Sequence, residues 1–235
     1  MVLPTYNEIL NVESMLRALR NAVPSADVLV VDDGSPDGTA KKAIELAEEL
    51  GSVEVLQRSE KSGLGGAYRA GFSWGLERGY DHFVEIDCDF SHDPAALPTL
   101  LDAAGNHDVV IGSRYVKGGH IPQWTFLRRF ISRGGNQYAS IMLGLKVADS
   151  TAGFRVYSKS ALEKMDFATV SANGYGFQIE MTYRARRAGL SIIEVPISFT
   201  DRELGESKMS GAIVGEALVL VTQWALLRPF GRAPR

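Results

Sequence analysis

The sequence of 235 residues contains one cysteine, four histidines and no long uncharged apolar run. The single cysteine, Cys88, excludes an intramolecular disulfide framework and a cysteine-rich zinc site, and is typical of a reducing compartment. No run reaches the roughly 20 apolar residues that a membrane-spanning helix needs. Because no basic region followed by an apolar stretch occurs at the N-terminus, we expect no signal peptide. These absences argue against secreted, fibrous and integral-membrane proteins.

Positive charge is scarce in the first half of the chain. Residues 1–113 contain 8 Lys and Arg against 19 Asp and Glu, whereas residues 114–235 contain 17 against 9. A nucleic-acid-binding protein carries a basic surface, so we expect no nucleic-acid partner. The asymmetry indicates an acidic half that binds a cation and a basic half that binds anions; uneven scattering of charge over a solvated surface is the alternative.

Short apolar runs rich in β-branched residues alternate with helical patterns. Strands are predicted at residues 28–31, 53–56, 83–86, 109–111, 153–157 and 192–199, and helices at 8–22, 39–50, 66–78, 126–143 and 177–188, with a short helix after Asp93. Strand–helix alternation predicts right-handed crossovers and an α/β, Rossmann-like, mainly parallel sheet flanked by helices. No internal repeat or long linker interrupts the pattern, so we expect one main domain.

The last predicted helix, residues 211–227, is apolar nearly all round and contains one charged residue, Glu216. Arg228, Arg232 and Arg235 follow it. One interpretation is a helix that packs in a core or against a second subunit. The other is an interfacial helix that places Trp224 among lipid headgroups and the arginines on anionic lipid.

Acidic side chains follow three predicted strands. Asp87 and Asp89 come directly after the strand at 83–86, and alternation places them on one side and Cys88 on the other. Two such carboxylates suit Mg²⁺ or Mn²⁺ shared with a phosphate, although a solvated turn is the alternative. Asp33 and Glu8 lie at two further strand ends, where turn formation and helix capping compete with nucleotide binding. Because parallel strands end at one edge, a single ligand site is favoured.

The basic half supplies candidate phosphate ligands. Arg114 directly follows a predicted strand, and Arg202 lies in a polar loop with Lys208. Arginine binds phosphate oxygens with a planar fork, and lysine adds a compact charge. His92 is expected to be a loop histidine, with metal ligation as the alternative. The glycines at 63–66 do not match a dinucleotide fingerprint, because Tyr68 occupies the third glycine position.

Taken in order, these motifs resemble the inverting family 2 glycosyltransferases, especially the dolichyl- or polyprenyl-phosphate mannose synthases. The likeness extends from residue 1 to about 210. It rests on residues 4–8 (PTYNE), 31–39 (VDDGSPDGT), 87–89 (DCD), 112–115 (GSRY), Trp124 with Arg128 and Ser132, 150–155 (STAGFR), and Arg202 with 205–208 (GESK). Cys88 is a departure, since relatives usually have alanine there.

The resemblance implies a GT-A-like catalytic domain over residues 1–210, with a C-terminal apolar helix and basic tail over 211–235. It implies Mg²⁺- or Mn²⁺-dependent transfer of mannose from GDP-mannose to a polyprenyl phosphate. The enzyme would lie on the cytoplasmic face of a membrane as a peripheral protein, with or without a separate anchor protein. Alternatives are a polyprenyl-phosphate hexosyltransferase that uses a UDP-sugar, an aspartyl phosphatase and a non-catalytic nucleotide-binding subunit.

The resemblance also implies the role of each site residue. The metal ligands are Asp87 and Asp89, and the catalytic residues are Asp89, Arg114 and Arg128. The guanosine contacts are Pro4, Tyr6, Glu8, Val31 and Asp33. Cys88 lies beside the diphosphate, the other phosphate contacts are Arg114, Arg202 and Lys208, and the lipid-phosphate contacts are Arg128 and Ser132.

Overall fold

A computed structural model describes residues 1–59, 63–202, 204 and 211–227 of the chain. The strands in this part are β1 (Val2–Thr5), β2 (Val28–Asp32), β3 (Val53–Gln57), β4 (His82–Glu85), β5 (Val109–Ser113), β6 (Arg155–Ser158) and β7 (Ile192–Pro196). The helices are α1 (Val12–Ala22), α2 (Thr39–Leu50), α3 (Gly63–Glu77), α4 (Leu97–Ala104), α5 (Phe126–Leu143), α6 (Lys159–Met165), α7 (Gly174–Arg187) and α8 (Gly211–Leu227). Short 3₁₀ turns occupy Pro94–Ala96 and Phe167–Thr169.

The strands form one mixed sheet in the order β3-β2-β1-β4-β6-β5-β7. Strands β1 to β4 are parallel, β5 is parallel to β7, and β6 is antiparallel to both of its neighbours, β4 and β5. The predicted mainly parallel α/β sheet is therefore confirmed. Because β6 runs against its neighbours, the residues that precede it lie at the same edge as the residues that follow β4 and β5.

Helices cover both faces of the sheet and create two hydrophobic cores. Helices α1, α2 and α4 pack on one face, where α1 contributes the stripe Val12, Met15, Leu16 and Leu19. Helices α3, α5, α6, α7 and α8 contribute to the core on the other face. This arrangement leaves the carboxyl edge of the sheet open between the two layers, which is where α/β sheets bind ligands.

The predicted helix over 8–22 is too long, since α1 begins at Val12. Asn7 has a positive φ of 56°, and the backbone N–H of Glu8 donates to Oγ1 of Thr39, so this segment turns before the helix starts. The helix α6 was not predicted, because its seven residues give too short a periodic pattern.

The C-terminal helix α8 buries one side in the core. Ala217, Val221 and Trp224 pack within the core to which α5 and α7 contribute, so the expectation that Trp224 lies among lipid headgroups is wrong. Their helical spacing explains the result, since these three residues share one face. In the described part of the chain, no helix is long and apolar enough to cross a membrane. Residues 228–235, including the three arginines, lie outside the described residues.

Candidate functional site

Asp87 and Asp89 follow β4 at the open edge of the sheet. The hydroxyl of Tyr68 donates to Oδ1 of Asp87 at 3.2 Å. Asp89 is 7% exposed; its Oδ1 accepts from the Ser91 N–H at 3.0 Å, and its Oδ2 accepts from Nη2 of Arg202 at 2.5 Å. Cys88 is buried in the opposite core, as strand alternation predicts. The two carboxylates are thus held by donors from α3 and from the segment after β7.

Burial and mutual repulsion affect the ionisation of Asp87 beside Asp89. Burial, and after it the charge of Asp89, raises the pKa of Asp87 to about 7. A bound cation would relieve this repulsion. Within the described residues, no group of three or more His, Cys, Asp or Glu is arranged to hold a metal ion. Two carboxylates would supply only part of the coordination shell of a hard divalent cation, whose other ligands would be phosphate oxygens and water.

A second acidic region lies at the ends of β1 and β2. Asp33 accepts from Nη1 of Arg58 at 2.8 Å, and Oε2 of Glu8 accepts from the Asn11 side chain at 2.9 Å. Nη1 of Arg202 lies 3.8 Å from Oε1 of Glu8, which connects this region to Asp89. The structure thus brings Glu8, Asp33 and the aspartate pair to one edge of the sheet.

The other predicted guanosine contacts differ in accessibility. Pro4 and Tyr6 are half-buried beside this edge. Val31 is paired with Pro4 in the register of β1 and β2, but it is fully buried in the core. The core therefore already surrounds the Val31 side chain.

Arg114 does not stand free at the strand end. Its Nε donates to Oδ2 of Asp149 and its Nη2 to Oδ1, both at 2.7 Å, and Nη2 also donates to Oγ1 of Thr151 at 2.8 Å. Both ionic side chains are almost fully buried. Asp149 therefore neutralises the charge of the guanidinium. A hydrogen bond from Arg114 to a phosphate oxygen stays a prediction.

A cavity of about 340 Å³ lies between α5, α7 and α8, and we call it the apolar groove. Its walls are mainly aliphatic and aromatic, and polar side chains meet in one part of its lining, which we call its polar end. The apolar walls include Leu127, Ile131, Ala139, Tyr175, Ile179, Ala217, Leu218 and Val221, and the polar end comprises Arg128, Ser132, Asn136 and Thr151. An amphiphile with an anionic head and a hydrocarbon tail matches this distribution.

Asp201 organises the polar end. Its Oδ2 accepts from Nη1 of Arg128 at 2.8 Å, and its Oδ1 accepts from Nε1 of Trp124 at 2.9 Å. The Arg128 guanidinium also lies 4.0 Å from the centroid of the Trp124 ring. Oγ of Ser132 accepts from the Tyr115 hydroxyl at 2.7 Å. Because Arg202 follows Asp201 directly, a single dipeptide connects the groove with Asp89.

Several of these residues escaped the sequence analysis. Asp149 directly precedes the motif at 150–155, and Asp201 directly precedes Arg202. Their position next to predicted site residues was the feature of the sequence that could have identified them. Within that motif, Arg155 is fully buried and donates to the carbonyl oxygens of Ser150, Ala152 and Gln178, which makes it structural. Lys208 lies outside the described residues.

His92 is a buried residue that packs beside Phe154 and Phe199. Its Nδ1 has no hydrogen-bond partner among the described residues. Burial lowers the pKa of this imidazole to about 4. The side chain is therefore neutral at pH 7. His92 lies in the loop between β4 and α4, as predicted, and it is buried there.

The family model described as glycosyl transferase family 2 matches residues 1–166. An undecaprenyl-phosphate mannosyltransferase from Micrococcus luteus is 56% identical over 96% of this chain and 93% of its own length. A polyprenol monophosphomannose synthase from Mycolicibacterium smegmatis is 47% identical over 99% of this chain and 88% of its own. A dolichol-phosphate mannosyltransferase from Pyrococcus furiosus is 36% identical over 92% of this chain, which spans 60% of that protein.

The fold is also similar to solved structures. A mannosyltransferase from Pyrobaculum calidifontis in complex with GDP-Man and Mn²⁺ superposes with a TM-score of 0.61 at 18% identity. That match covers 99% of this chain and 64% of the other. Mannosyl-3-phosphoglycerate synthase from Rubrobacter xylanophilus gives the same TM-score at 19% identity, over 100% of this chain and 75% of the other. At these identities the likeness concerns the fold alone.

Proposed function

The chain belongs to glycosyl transferase family 2 and is a glycosyltransferase, and we propose that it transfers mannose from GDP-mannose to a polyprenyl phosphate. The names of its relatives support mannose as the sugar and a polyprenyl phosphate as the acceptor. The observation that carries the proposal is the direct connection between the apolar groove and the aspartate pair. Asp201 holds Arg128 at the groove, and the next residue, Arg202, binds Asp89.

The apolar groove suits the acceptor. Its walls offer apolar surface to isoprene units, and its polar end offers Arg128 and Ser132 to the phosphate. A charge-assisted hydrogen bond from arginine to phosphate is stronger than one between neutral groups. The proposal therefore places the lipid chain along α5 and α8 and its phosphate near Arg128.

The acceptor explains why no carboxylate base is required. A phosphate monoester has a second pKa near 6, so at pH 7 it is already largely a dianion. In the proposed step its oxygen attacks C1 of mannose, the bond from C1 to the diphosphate oxygen breaks, and GDP leaves with the electron pair. Attack opposite the leaving group inverts the configuration at C1. The protein has to align two anions and offset their repulsion.

The donor is proposed to lie across the two acidic regions. A divalent cation, Mg²⁺ or Mn²⁺, held by Asp87 and Asp89 would supply charge that stabilises the departing diphosphate. Pro4, Tyr6, Glu8 and Asp33 are the proposed guanosine contacts. Val31 at the guanosine and Cys88 beside the diphosphate would contribute main-chain atoms only, because both side chains are buried in the cores. Arg202 and Lys208 are the proposed phosphate contacts of the loop after β7.

We also propose a peripheral contact with the cytoplasmic face of a membrane. The α5 apolar surface, which comprises Phe126, Leu127, Phe130 and Ile131, is well exposed, and Phe126 reaches 85%. Arg129 and Arg133 lie on the same helical segment and suit anionic headgroups. This surface adjoins the apolar groove through Leu127 and Ile131. The sequence assigned the contact to residues 211–235, but α8 buries its Trp224 face.

The test is a set of incubations with a short polyprenyl phosphate. The enzyme receives GDP-mannose or UDP-glucose, with Mg²⁺, Mn²⁺ or a chelator, and the lipid fraction is analysed for bound sugar. We expect mannolipid from GDP-mannose and loss of product with the chelator. Transfer from UDP-glucose alone would indicate a different hexosyltransferase, release of inorganic phosphate a phosphatase, and nucleotide binding without turnover a non-catalytic subunit.

Two adjacent arginines supply a matched pair of variants for the acceptor site. Arg128→Ala should raise the KM for polyprenyl phosphate by about 10-fold or more, since a charged hydrogen bond is lost. Arg129→Ala removes an equal charge whose hydrogen bond, among the described residues, is to the Pro122 carbonyl at 3.4 Å. With the acceptor in neutral detergent, where membrane binding plays no part, this variant should leave that KM within about twofold. Equal effects of the two substitutions would contradict the placement of the phosphate.

A further inference from the structure

Asp149 holds Arg114 in one orientation. Besides the two bonds to the guanidinium, Oδ2 of Asp149 accepts from the backbone N–H of Arg114 at 2.9 Å. The side chains are 4% and 0% exposed. A carboxylate that engages Nε, Nη2 and the main chain of one arginine leaves that side chain little rotational freedom.

Nη1 is the part of the guanidinium that this network leaves available. Nε and Nη2 are occupied by Asp149 and Thr151, whereas Nη1 makes no hydrogen bond to any described residue. Nη1 is not one of the buried polar atoms that lack a hydrogen-bond partner. Since it has no partner among the described residues, it must be exposed to solvent. A donor of this kind is poised for a ligand.

Asp149 is itself held in place. Glu194 on β7 accepts from the backbone N–H groups of Ala148 and Asp149 at 2.7 and 2.9 Å. Burial, the largest single effect, would raise the pKa of Asp149, but the charge and the hydrogen bonds of Arg114, with the charge of Arg155, together outweigh burial and lower the pKa. The carboxylate is therefore ionised, and the pair is organised before a ligand arrives.

The pair adjoins the polar end of the groove. Thr151, which accepts from Nη2 of Arg114, lines the groove and also accepts from the Asn136 amide at 3.1 Å. The Arg114 guanidinium lies 5.7 Å from the centroid of the Trp124 ring, another lining residue. We infer that Asp149 is a positioning residue that directs Nη1 of Arg114 toward the acceptor phosphate, an inference that rests on the proposed function.

The proposed role of Asp149 concerns the orientation of the acceptor phosphate rather than the strength with which it is bound. Because Asp149 neutralises Arg114, the pair adds little net charge to the binding of an anion, and its contribution is alignment of the attacking oxygen. Asp149→Asn keeps the size of the side chain and frees the arginine. We therefore expect kcat to fall by about 10- to 100-fold, while the KM for polyprenyl phosphate stays unchanged or decreases.

Three variants test the pair. Arg114→Lys keeps the charge and loses the fork, so its kcat should fall by a similar factor. The double variant should be little worse than either single one, because both remove the same alignment. Glu180→Gln is the matched control: it disrupts another buried ion pair, Glu180 with Arg184 on α7, which contacts neither Arg114 nor Asp149, so it should lower the melting temperature and leave kcat within about twofold. An equal loss of kcat in this control would overturn the inference.

A second measurement separates this inference from the proposed function. In a ¹⁵N-arginine spectrum, a resonance that shifts on addition of a short polyprenyl phosphate and is lost in Arg114→Lys supports the alignment, provided that Asp149→Asn abolishes the shift. No such shift in the wild-type protein would overturn the inference. An active wild-type enzyme whose Asp149→Asn variant keeps its kcat would also overturn it and leave the function standing. Failure to transfer mannose, with the shift intact, would instead refute the proposed donor.

Discussion

Asp201 and Arg202 are adjacent in the chain, yet their side chains bind opposite charges in two parts of the site. Asp201 accepts from Arg128 and Trp124 at the apolar groove, whereas Arg202 donates to Asp89 beside the proposed metal site. The segment is anchored, because Thr200 donates from its backbone N–H to Ser91 and from its hydroxyl to Phe90. The dipeptide therefore places one side chain at the groove and the next one at the proposed metal site.

Arg202 occupies Oδ2 of Asp89, a carboxylate that the proposed metal ion would also bind. Arg202→Met should therefore raise the affinity of the nucleotide-free enzyme for Mn²⁺ by about 10-fold, and should lower turnover because a phosphate contact is lost. Arg58→Met is the control, since it breaks the comparable pair with Asp33 away from the aspartate pair. Paramagnetic resonance of free Mn²⁺ measures the affinity. Unchanged or weaker binding in Arg202→Met would refute the competition.

The metal assignment itself predicts severe effects at the aspartate pair. Asp89→Ala should lower turnover by at least about 100-fold, and Asp87→Ala should raise the metal concentration required for half-maximal activity. Asp93→Ala is the matched control in the same loop, because that side chain only caps the turn at Ala95. It should cost about 1 kcal/mol of stability and leave turnover intact. Near-normal turnover of either aspartate variant at limiting metal would exclude the assignment.

The sequence predicted the family, the α/β sheet and the acidic strand ends, because each rests on a local pattern. The bounds predicted for α5, 126–143, are those of the structure. Short apolar runs and apolar residues at helical spacing predict strands and helices directly from the local sequence. Parallel strands then bring their carboxyl ends to one edge of the sheet. The clustering of Glu8, Asp33 and Asp89 followed from that geometry without knowledge of any individual contact.

The partners of the cations could not be predicted in the same way. Arg114 and Asp149 are 35 residues apart, and they meet because β6 runs antiparallel between β4 and β5. Strand direction depends on the path of the whole chain, and no residue of β6 encodes it. The same limit applies to α8. A helix that is apolar nearly all round is compatible with a protein core and with a membrane interface, and only its neighbours in the fold decide between the two.

His92 should make stability fall on mild acidification. The unfolded imidazole has a pKa of about 6.5, whereas burial lowers the folded pKa to about 4. The unfolded chain therefore binds more protons at this residue between these values, and the His92 contribution to the free energy of unfolding decreases as pH falls through that window, by on the order of 3 kcal/mol. Asp87 and Glu85, whose pKa values burial raises to about 7, contribute with the opposite sign. His92→Phe preserves the contacts with Phe154 and Phe199 and should flatten this dependence, measured by urea denaturation. His82→Phe, at an exposed site, should retain it; an unaltered slope in His92→Phe would contradict the assignment.

The α5 apolar surface predicts which substitutions weaken membrane binding. The double variant Phe126→Ser/Phe130→Ser lacks two exposed rings. Its affinity for vesicles that contain anionic lipid, measured by flotation, should be lower than that of the wild type by about 10-fold or more. Ile141→Ser, on the C-terminal half of the same helix, removes an apolar side chain that is 69% exposed and should bind as the wild type does. High salt should weaken the vesicle binding of both the wild-type and the control protein, because the proposed contact places Arg129 and Arg133 at the anionic headgroups. Equal flotation of the double variant and the wild type would show that another surface carries the contact.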